Sequence, residues 1–453
     1  MTLPWAFGTI AGGVNSQAIT YTLKKFISDP SMIALLTSIN LISNVVVGAP
    51  CNYMSDRVWT RWGRRRPFLI SSALSTAFLM LLIPFLPNIW LLAAVNLVFQ
   101  VTIDVGTCTE ALYFEVIPQP QRGRAVSIRQ IMNGIAGMFF SVVLFANFDA
   151  KYDFDLSGYG LGHLYWTGEY TLYLVSAMAV LANAALYMFF VRETPVDSPL
   201  IGQPFRPLSF LKDVFGDKRW YLVYLYYSVP TVVAAGTSQF GPLVMTDVFG
   251  YTKGDMARVG VPSMLITLFV FTPLLGWFSD KIPRTRMFQF GVFGSVAWVT
   301  WYWLYIKLLA PGGVPSLMFI FGNGLIGSFF STAIFVTYGA LLFDLIPSNL
   351  MGTLASGFGL ISSVLAALFM NMCGWFVKYY SVFFYEVNRA DSTRYDYTSI
   401  YLFQIIFGAV AIVMYMYFLL QYKRGKVIEY GVLEEKAEQR QEEEGKEAAV
   451  LPV

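Results

Sequence analysis

The chain has 453 residues, with 31 lysines and arginines against 28 aspartates and glutamates, a net charge of +3, and it is 56% hydrophobic, 17% aromatic and 13% charged. An ordinary soluble domain carries about 25% charged residues, so this composition excludes one and describes a membrane protein. The small net charge gives no footing for nucleic-acid binding, and Cys51, Cys108 and Cys373 lack the paired spacing or neighbouring histidine of a disulfide framework or metal site.

A helix rises about 1.5 Å per residue, so crossing a hydrocarbon layer of roughly 30 Å takes about 20 apolar residues. Twelve such windows follow in order near 2–22, 32–54, 67–87, 89–113, 124–147, 170–191, 220–246, 257–279, 287–309, 315–341, 352–378 and 398–421. Their long, non-alternating runs predict helices rather than barrel strands. "MTLP" has no basic n-region and the apolar stretch after it continues as a span, so no cleavable signal is expected.

Arginine and lysine concentrate in the connections after spans 2, 4, 6 and 8, while the opposite connections hold only scattered bases such as Lys24, Lys25, Lys151 and Lys253. Basic flanks collect on the cytoplasmic side, which places both termini in the cytoplasm and the protein in a plasma or inner cell membrane. The proline- and charge-rich segment 193–218 divides the chain into bundles at 1–192 and 219–422, and residues 423–453 form a charged cytoplasmic tail. The outer loop around His163, with Asp149, Asp153 and Asp155, lacks the glycine and terminal glutamate of an EF-hand and reads as a solvated loop.

The halves repeat one another. "ALYFEVIPQPQRG" from Ala111 matches "ALLFDLIPSNLMG" from Ala340 at an offset of 229, and "SDRVWTR" from Ser55 matches "SDKIPRT" from Ser279 at an offset of 224. The expected fold is an all-α membrane protein of twelve transmembrane helices in two six-helix pseudo-repeats, the architecture of a carrier whose lobes rock about a central site.

"GAPCNYMSDRVWTRWGRRRPF", with Gly48, Asp56, Gly63 and Arg64 to Arg66, resembles the loop motif of the major facilitator superfamily. The following Pro67 and Phe68 make it similar to the form in proton-coupled sucrose symporters and, more loosely, in glycoside-pentoside-hexuronide:cation symporters. Glu115 and Arg122, separated by six residues, resemble the superfamily's Glu-(six residues)-Arg pattern; Asp344 repeats the acid in the second half, but Met351 stands where the arginine would be. The resemblance implies that Asp56, Arg57, Arg64, Arg65, Arg66, Glu115, Arg122, Asp280, Arg284 and Asp344 are gating residues. The alternative is that these bases only set orientation.

An ionisable group deep in a span is costly unless it is paired or hydrated, and so marks a pathway. Asp104, Glu110 and Arg129 qualify in the first half, whereas Ala333 and Gly339 occupy the equivalents of the two acids in the second. At 100° per residue Asn96, Gln100, Asp104, Thr107 and Glu110 form one polar stripe, and Arg129 shares a face with Asn133. Counting inward from the basic end puts Glu110 at roughly 8 Å, Arg129 at roughly 12 Å and Asp104 at roughly 16 Å depth. Burial favours the protonated carboxyl and a nearby arginine the ionised one, so Asp104 or Glu110 facing Arg129 can couple transport to protons. A permanent structural ion pair is the alternative.

A neutral sugar needs hydrogen-bonding side chains and aromatic faces. Tyr224, Tyr227, Ser228, Thr231, Ser238 and Gln239 share one side of span 7. Asn15 and Ser16 lie in span 1, Asn323 and Tyr338 in span 10, and the resemblance implies that spans 1, 4, 7 and 10 line the cavity. The predicted substrate contacts are Asn15, Asn96, Gln100, Asn133, Tyr224, Tyr227, Ser228, Thr231, Gln239, Asn323 and Tyr338; glue between helices is the alternative for each. The expected function is proton-coupled symport of a di- or oligosaccharide or glycoside by a functional monomer in membrane lipid. No enzymatic activity, cofactor beyond the coupling proton, metal or nucleic acid is expected. A carrier of amphipathic, lipid-like solutes and a non-transporting solute sensor stay open as alternatives.

Overall fold

The computed structural model describes residues 3–55, 58–63, 65–106, 122–155, 163–190, 206–234, 237–309, 313–345, 351–385 and 395–427. Among them, eight helices are long and apolar enough to cross a membrane: Pro30–Gly48, Arg66–Phe85, Gly168–Phe190, Lys253–Ser279, Arg284–Leu309, Leu317–Tyr338, Gly357–Phe384 and Ser399–Lys423. Ile89–Val105 and Ile131–Phe145 are shorter apolar helices. Helix also fills Leu3–Gly13, Ile19–Lys24, Tyr221–Ala234 and Thr237–Leu243.

Local sequence sets the helix starts. Asp29 accepts a hydrogen bond from Ser31 N with Pro30 in the first turn, Asn88 accepts from Leu91 N, and Thr252 and Asp255 form a reciprocal capping box. Several helices contain one widened π turn, including Val14–Ala18, Asn44–Gly48 and Phe140–Phe145. Such turns displace side chains from the regular 100° progression.

Packing joins the two halves of the chain along two helix pairs. Pro30–Ser43 lies along Met351–Tyr385, and Lys253–Ile266 lies along Phe140–Phe145. The first approach is close because residue 374 is glycine: a Cβ there would sit 2.5 Å from Ala34 Cβ and 2.7 Å from the Pro30 carbonyl oxygen. The seam carries few polar groups, among them Thr37 Oγ1 beside Met370 Sδ at 3.2 Å and Asn371 Nδ2 donating to Ser38 Oγ at 2.8 Å.

Three elements differ from the sequence expectation. The window 220–246 is not one regular helix: Tyr221–Ala234 contains Pro230, Thr237–Leu243 contains Pro242, and Val244–Val248 is a π turn. Pro removes a backbone donor and crowds the preceding turn, which interrupts the register assumed for its polar stripe. Within segment 193–218 the chain forms a helix, Pro207–Phe215. Its Val214 is fully buried, and Tyr224 Oη donates to the Val214 carbonyl at 2.8 Å. A Cβ at Gly357 would lie 2.5 Å from Val214 and 2.6 Å from the same hydroxyl, so this position admits the helix only as glycine.

The loop around His163 holds a hairpin, with Lys151–Asp155 antiparallel to His163–Thr167. Tyr152, Phe154, Leu164 and Trp166 share one face of it and Asp153, Asp155 and His163 the other, as the period of two requires. His163 Nδ1 lies 3.0 Å from Asp153 Oδ1. Gly168 receives the hairpin at the helix end, where any Cβ would collide with the Asn147 carbonyl oxygen.

Candidate functional site

The predicted stripe on Ile89–Val105 faces the protein interior: Asn96, Gln100 and Asp104 are 0%, 1% and 1% exposed. Residues four apart stack along one side of a helix, which is why the three share this fate. Gln100 Nε2 donates to Asn15 Oδ1 at 2.7 Å and to Asn96 Oδ1 at 3.2 Å, and Asn96 Nδ2 donates to the Leu36 carbonyl at 3.1 Å. Asn15 reaches this chain from the π turn Val14–Ala18. An amide relay thus connects three helices, with the Asp104 carboxylate one turn beyond it.

Two of the unused buried acceptors lie on the helices that carry Asp104 and Arg129. Among the described residues, Gln100 Oε1 and Asn133 Oδ1 have no hydrogen-bond partner. A buried carbonyl oxygen without a donor costs about 1–3 kcal/mol, so each is an opening for a hydroxyl-bearing solute or water. Arg129 is half-buried on Arg122–Phe139, one turn from Asn133.

Most of the predicted contacts of the C-terminal half have hydrogen-bond or ring partners within the protein. Tyr224 is buried with its hydroxyl on Val214, and Ser228 Oγ donates to the Tyr224 carbonyl at 2.8 Å. Tyr338 Oη donates to the Tyr227 carbonyl at 3.1 Å, and both the Asn323 carbonyl and its Oδ1 accept from Trp298 Nε1, at 2.9 and 3.1 Å. These polar groups are used in binding the helices together. Tyr227 stacks on Phe358 at 4.3 Å between ring centroids, and Thr231 is half-buried.

Of the predicted gate, Arg65 is buried and Arg66 half-buried at the start of Arg66–Leu82, and Arg284 is half-buried at the start of its helix. Asp56, Arg57, Arg64, Glu110, Glu115, Thr107 and the side chains of Arg122, Ser238, Gln239, Asp280 and Asp344 lie outside the described residues.

At the opposite end the structure reveals an unpredicted set. Lys24 pairs with Asp247, Lys378 with Asp29, and Lys253 with Asp149 at 2.6 Å. Each pair has one member in each half of the chain, so together they latch the halves at this end. Burial pushes the Asp29 carboxyl up, but hydrogen bonds from Lys378 and Ser31 outweigh it and hold the group below the usual carboxylate range. Lys24 and Lys253 are among the bases that look scattered in sequence, Lys378 was not singled out, and the three partners lie 223, 104 and 349 residues away respectively. No helical spacing signals such pairs; the available sign was a lysine at a span end where the charge pattern did not need one.

Beside Lys378 and Asp29 a groove of about 650 Å³, open to the surface where Trp90, Leu35 and Trp375 are exposed, runs along the seam between the halves. Its walls are chiefly apolar, with Met32, Leu35, Ile89, Trp90 and Trp375 below the ion pair.

The family described as Major Facilitator Superfamily matches residues 5–370. The nucleoside transporter NupG superposes with a TM-score of 0.66 at 11% identity, covering 92% of this chain and 98% of that one. A D-xylose-proton symporter gives 0.65 at 16%, covering 91% and 96%. A bacterial homolog to the human lysosomal transporter Spinster, inward-facing and occupied, gives 0.63 at 17%, covering 92% and 95%. At these identities the likeness shows the fold. The magnetosome protein MamZ of Magnetospirillum gryphiswaldense is 26% identical over 145 residues, 31% of this chain and 21% of MamZ. MamZ of Paramagnetospirillum magneticum is 25% identical over 147 residues, again 21% of its length. The chain thus spans about a fifth of these curated relatives.

Proposed function

Because the chain belongs to the Major Facilitator Superfamily, we propose that it is a proton-coupled symporter of twelve membrane helices in two six-helix halves, carrying a di- or oligosaccharide or glycoside by alternating access. The halves are residues 1–192 and 219–422, the arginine-rich end faces the cytoplasm, and the latched end faces the outside of the cell membrane. The observation that carries the reading is the buried amide relay Asn15–Gln100–Asn96 with Asp104 one turn further along the same face. Unused carbonyl acceptors at Gln100 and Asn133 suit a neutral solute rich in hydroxyl donors. Asp104 takes up and releases the coupling proton, and Arg129 favours its ionised form when the two approach. The similarity to a D-xylose-proton symporter supports this assignment at the level of fold.

Alternating access gives the latch its role: closed, it leaves the site reachable only from the cytoplasm. Uptake of a panel of labelled sugars into proteoliposomes, with and without an imposed pH gradient, tests the reading. Asp104→Asn should abolish pH-driven accumulation and leave counterflow exchange intact. Accumulation that persists unchanged removes Asp104 from the mechanism, and binding without accumulation would make the protein a sensor.

A second reading has one specific observation in its favour. The apolar groove at the seam, headed by the Asp29–Lys378 pair, has the head-and-wall form that an amphipathic solute needs. Uptake of a lysolipid in the same vesicles, in place of any sugar, would favour it.

A further inference from the structure

Among the described residues, Lys253 is the one latch cation held by rings on more than one side. Its ammonium lies 4.2 Å from the centre of the Phe148 ring, 4.5 Å from that of Tyr21 and 5.9 Å from that of Phe145. Asp149 completes the enclosure, with its two carboxylate oxygens at 2.7 and 2.6 Å from Nζ. All four enclosing residues belong to the N-terminal half, and the lysine enters from the C-terminal half at the start of Lys253–Ile266.

The rings do not depend on the lysine for their positions. Tyr21 meets Phe145 edge-on at 5.4 Å and Phe148 at 6.3 Å, and Phe145 meets Phe148 at 6.3 Å. Each is at least nine-tenths buried. The π turn Phe140–Phe145 and the capped turn after it place Phe145 and Phe148 side by side, and Phe148 N donates to the Phe145 carbonyl. A ring face attracts a cation through its quadrupole, and several converging faces make the sites that recognise alkylated ammonium groups. Asp149 adds selectivity: short bonds to two carboxylate oxygens need N–H donors, which a primary ammonium has and a quaternary one lacks. Asp149 is 74% exposed, so the enclosure keeps a side open to solvent.

We propose that Tyr21, Phe145, Phe148 and Asp149 form a preorganised receptor for primary ammonium groups, which Lys253 occupies as an internal ligand while the latch is closed. When the halves part, the receptor empties and takes a primary amine from outside, either a soluble alkylamine or the ethanolamine headgroup of a membrane lipid. An occupied receptor excludes Lys253 and holds this end open. The exclusion step rests on the alternating-access reading above; the binding step does not.

Lys253→Ala removes the side chain from Cγ to Nζ and opens a void that the ammonium end of n-butylammonium can enter. Ligand-observed saturation-transfer NMR on the full chain in phosphatidylcholine nanodiscs should detect n-butylammonium binding several-fold more strongly to Lys253→Ala than to the unsubstituted protein. Binding should weaken at least about tenfold when Asp149→Asn or Phe148→Ala is added, and tetramethylammonium should bind less well than n-butylammonium. Lys253→Ser serves as the second variant should Lys253→Ala not insert. In phosphatidylethanolamine nanodiscs the butylammonium signal should fall if the headgroup fills the site, and stay if only soluble amines reach it. Equal signals in all variants, or none in either Lys253 variant, overturn the receptor. Failure of sugar transport with amine binding intact would overturn the transport reading alone.

Discussion

Removing one charge from the latch should shift the balance between the two conformations by a measurable and calculable amount. Asp29→Asn is the cleanest perturbation, because asparagine can still cap the helix beginning at Pro30, as Asp29 does through Ser31 N at 2.9 Å and Ser31 Oγ at 2.7 Å. Two unit charges about 4 Å apart attract by about 4 kcal/mol at an effective dielectric of about 20. The Lys378 and Asp29 side chains are 23% and 31% exposed, so screening and lost side-chain freedom reduce this to a net of about 1 kcal/mol. Lys378 keeps its solvent contact and lies 5.4 Å from the Trp375 ring, so no stranded charge adds to the effect.

A change of about 1 kcal/mol moves the ratio of closed to open at this end about fivefold. Spin labels at Phe26→Cys and Leu308→Cys, on opposite halves, would report it as growth of a long-distance population in pulsed dipolar spectroscopy. Adding Lys24→Met and Lys253→Met should open the end further, and the charge reversal Asp29→Lys with Lys378→Asp should restore closure. The folded-state carboxyl of Asp29 lies below its ordinary value near 3.8, so its contribution is complete above that value and is lost only as pH falls through the depressed one. The distance distribution of the unsubstituted protein should therefore not change between pH 8 and pH 5 on account of Asp29. An unaltered distribution in both Asp29→Asn and the triple variant would refute the latch.

Three further outcomes follow from the packing and the polar centre. Gln100→Leu severs the relay at its middle and strands Asn15 Oδ1, so apparent substrate affinity should drop about tenfold to a hundredfold in uptake assays, from about 1–3 kcal/mol per unsatisfied buried group. Gly374→Val drives a side chain into the Pro30 carbonyl and Ala34. The same spin-label pair should read the open population even with all three ion pairs intact. Tyr224→Phe removes the hydroxyl that holds Val214, at about 1 kcal/mol. Faster amide exchange confined to Pro207–Phe215, with unchanged substrate affinity, would establish that Tyr224 serves the fold and not the cavity.

Eight of the apolar windows were legible because crossing a bilayer sets a length and a composition that few other structures share. Asn96, Gln100 and Asp104 were legible for a related reason: polar residues four apart on an apolar helix have one side on which to be buried. The same logic does not separate cavity from packing at Tyr224, Ser228 and Tyr338. A hydroxyl in a membrane helix can satisfy itself on a nearby backbone carbonyl, as Ser228 does four residues back, and sequence does not say which option is taken. The latch was illegible because its partners meet only when the halves dock, and periodicity carries no information across such separations. The short helix at Pro207 was hidden by the proline and charge around it, although Pro in its first turn and the apolar Phe210, Val214 and Phe215 were available signs.

The seating of Pro207–Phe215 on Tyr224 and Gly357 decides where the polypeptide can be divided. Two co-expressed fragments separated ahead of Arg206 leave the short helix with the piece that carries its slot. Division at Gly216, only ten residues later, sends the plug away with the wrong fragment and leaves an empty notch beside Gly357.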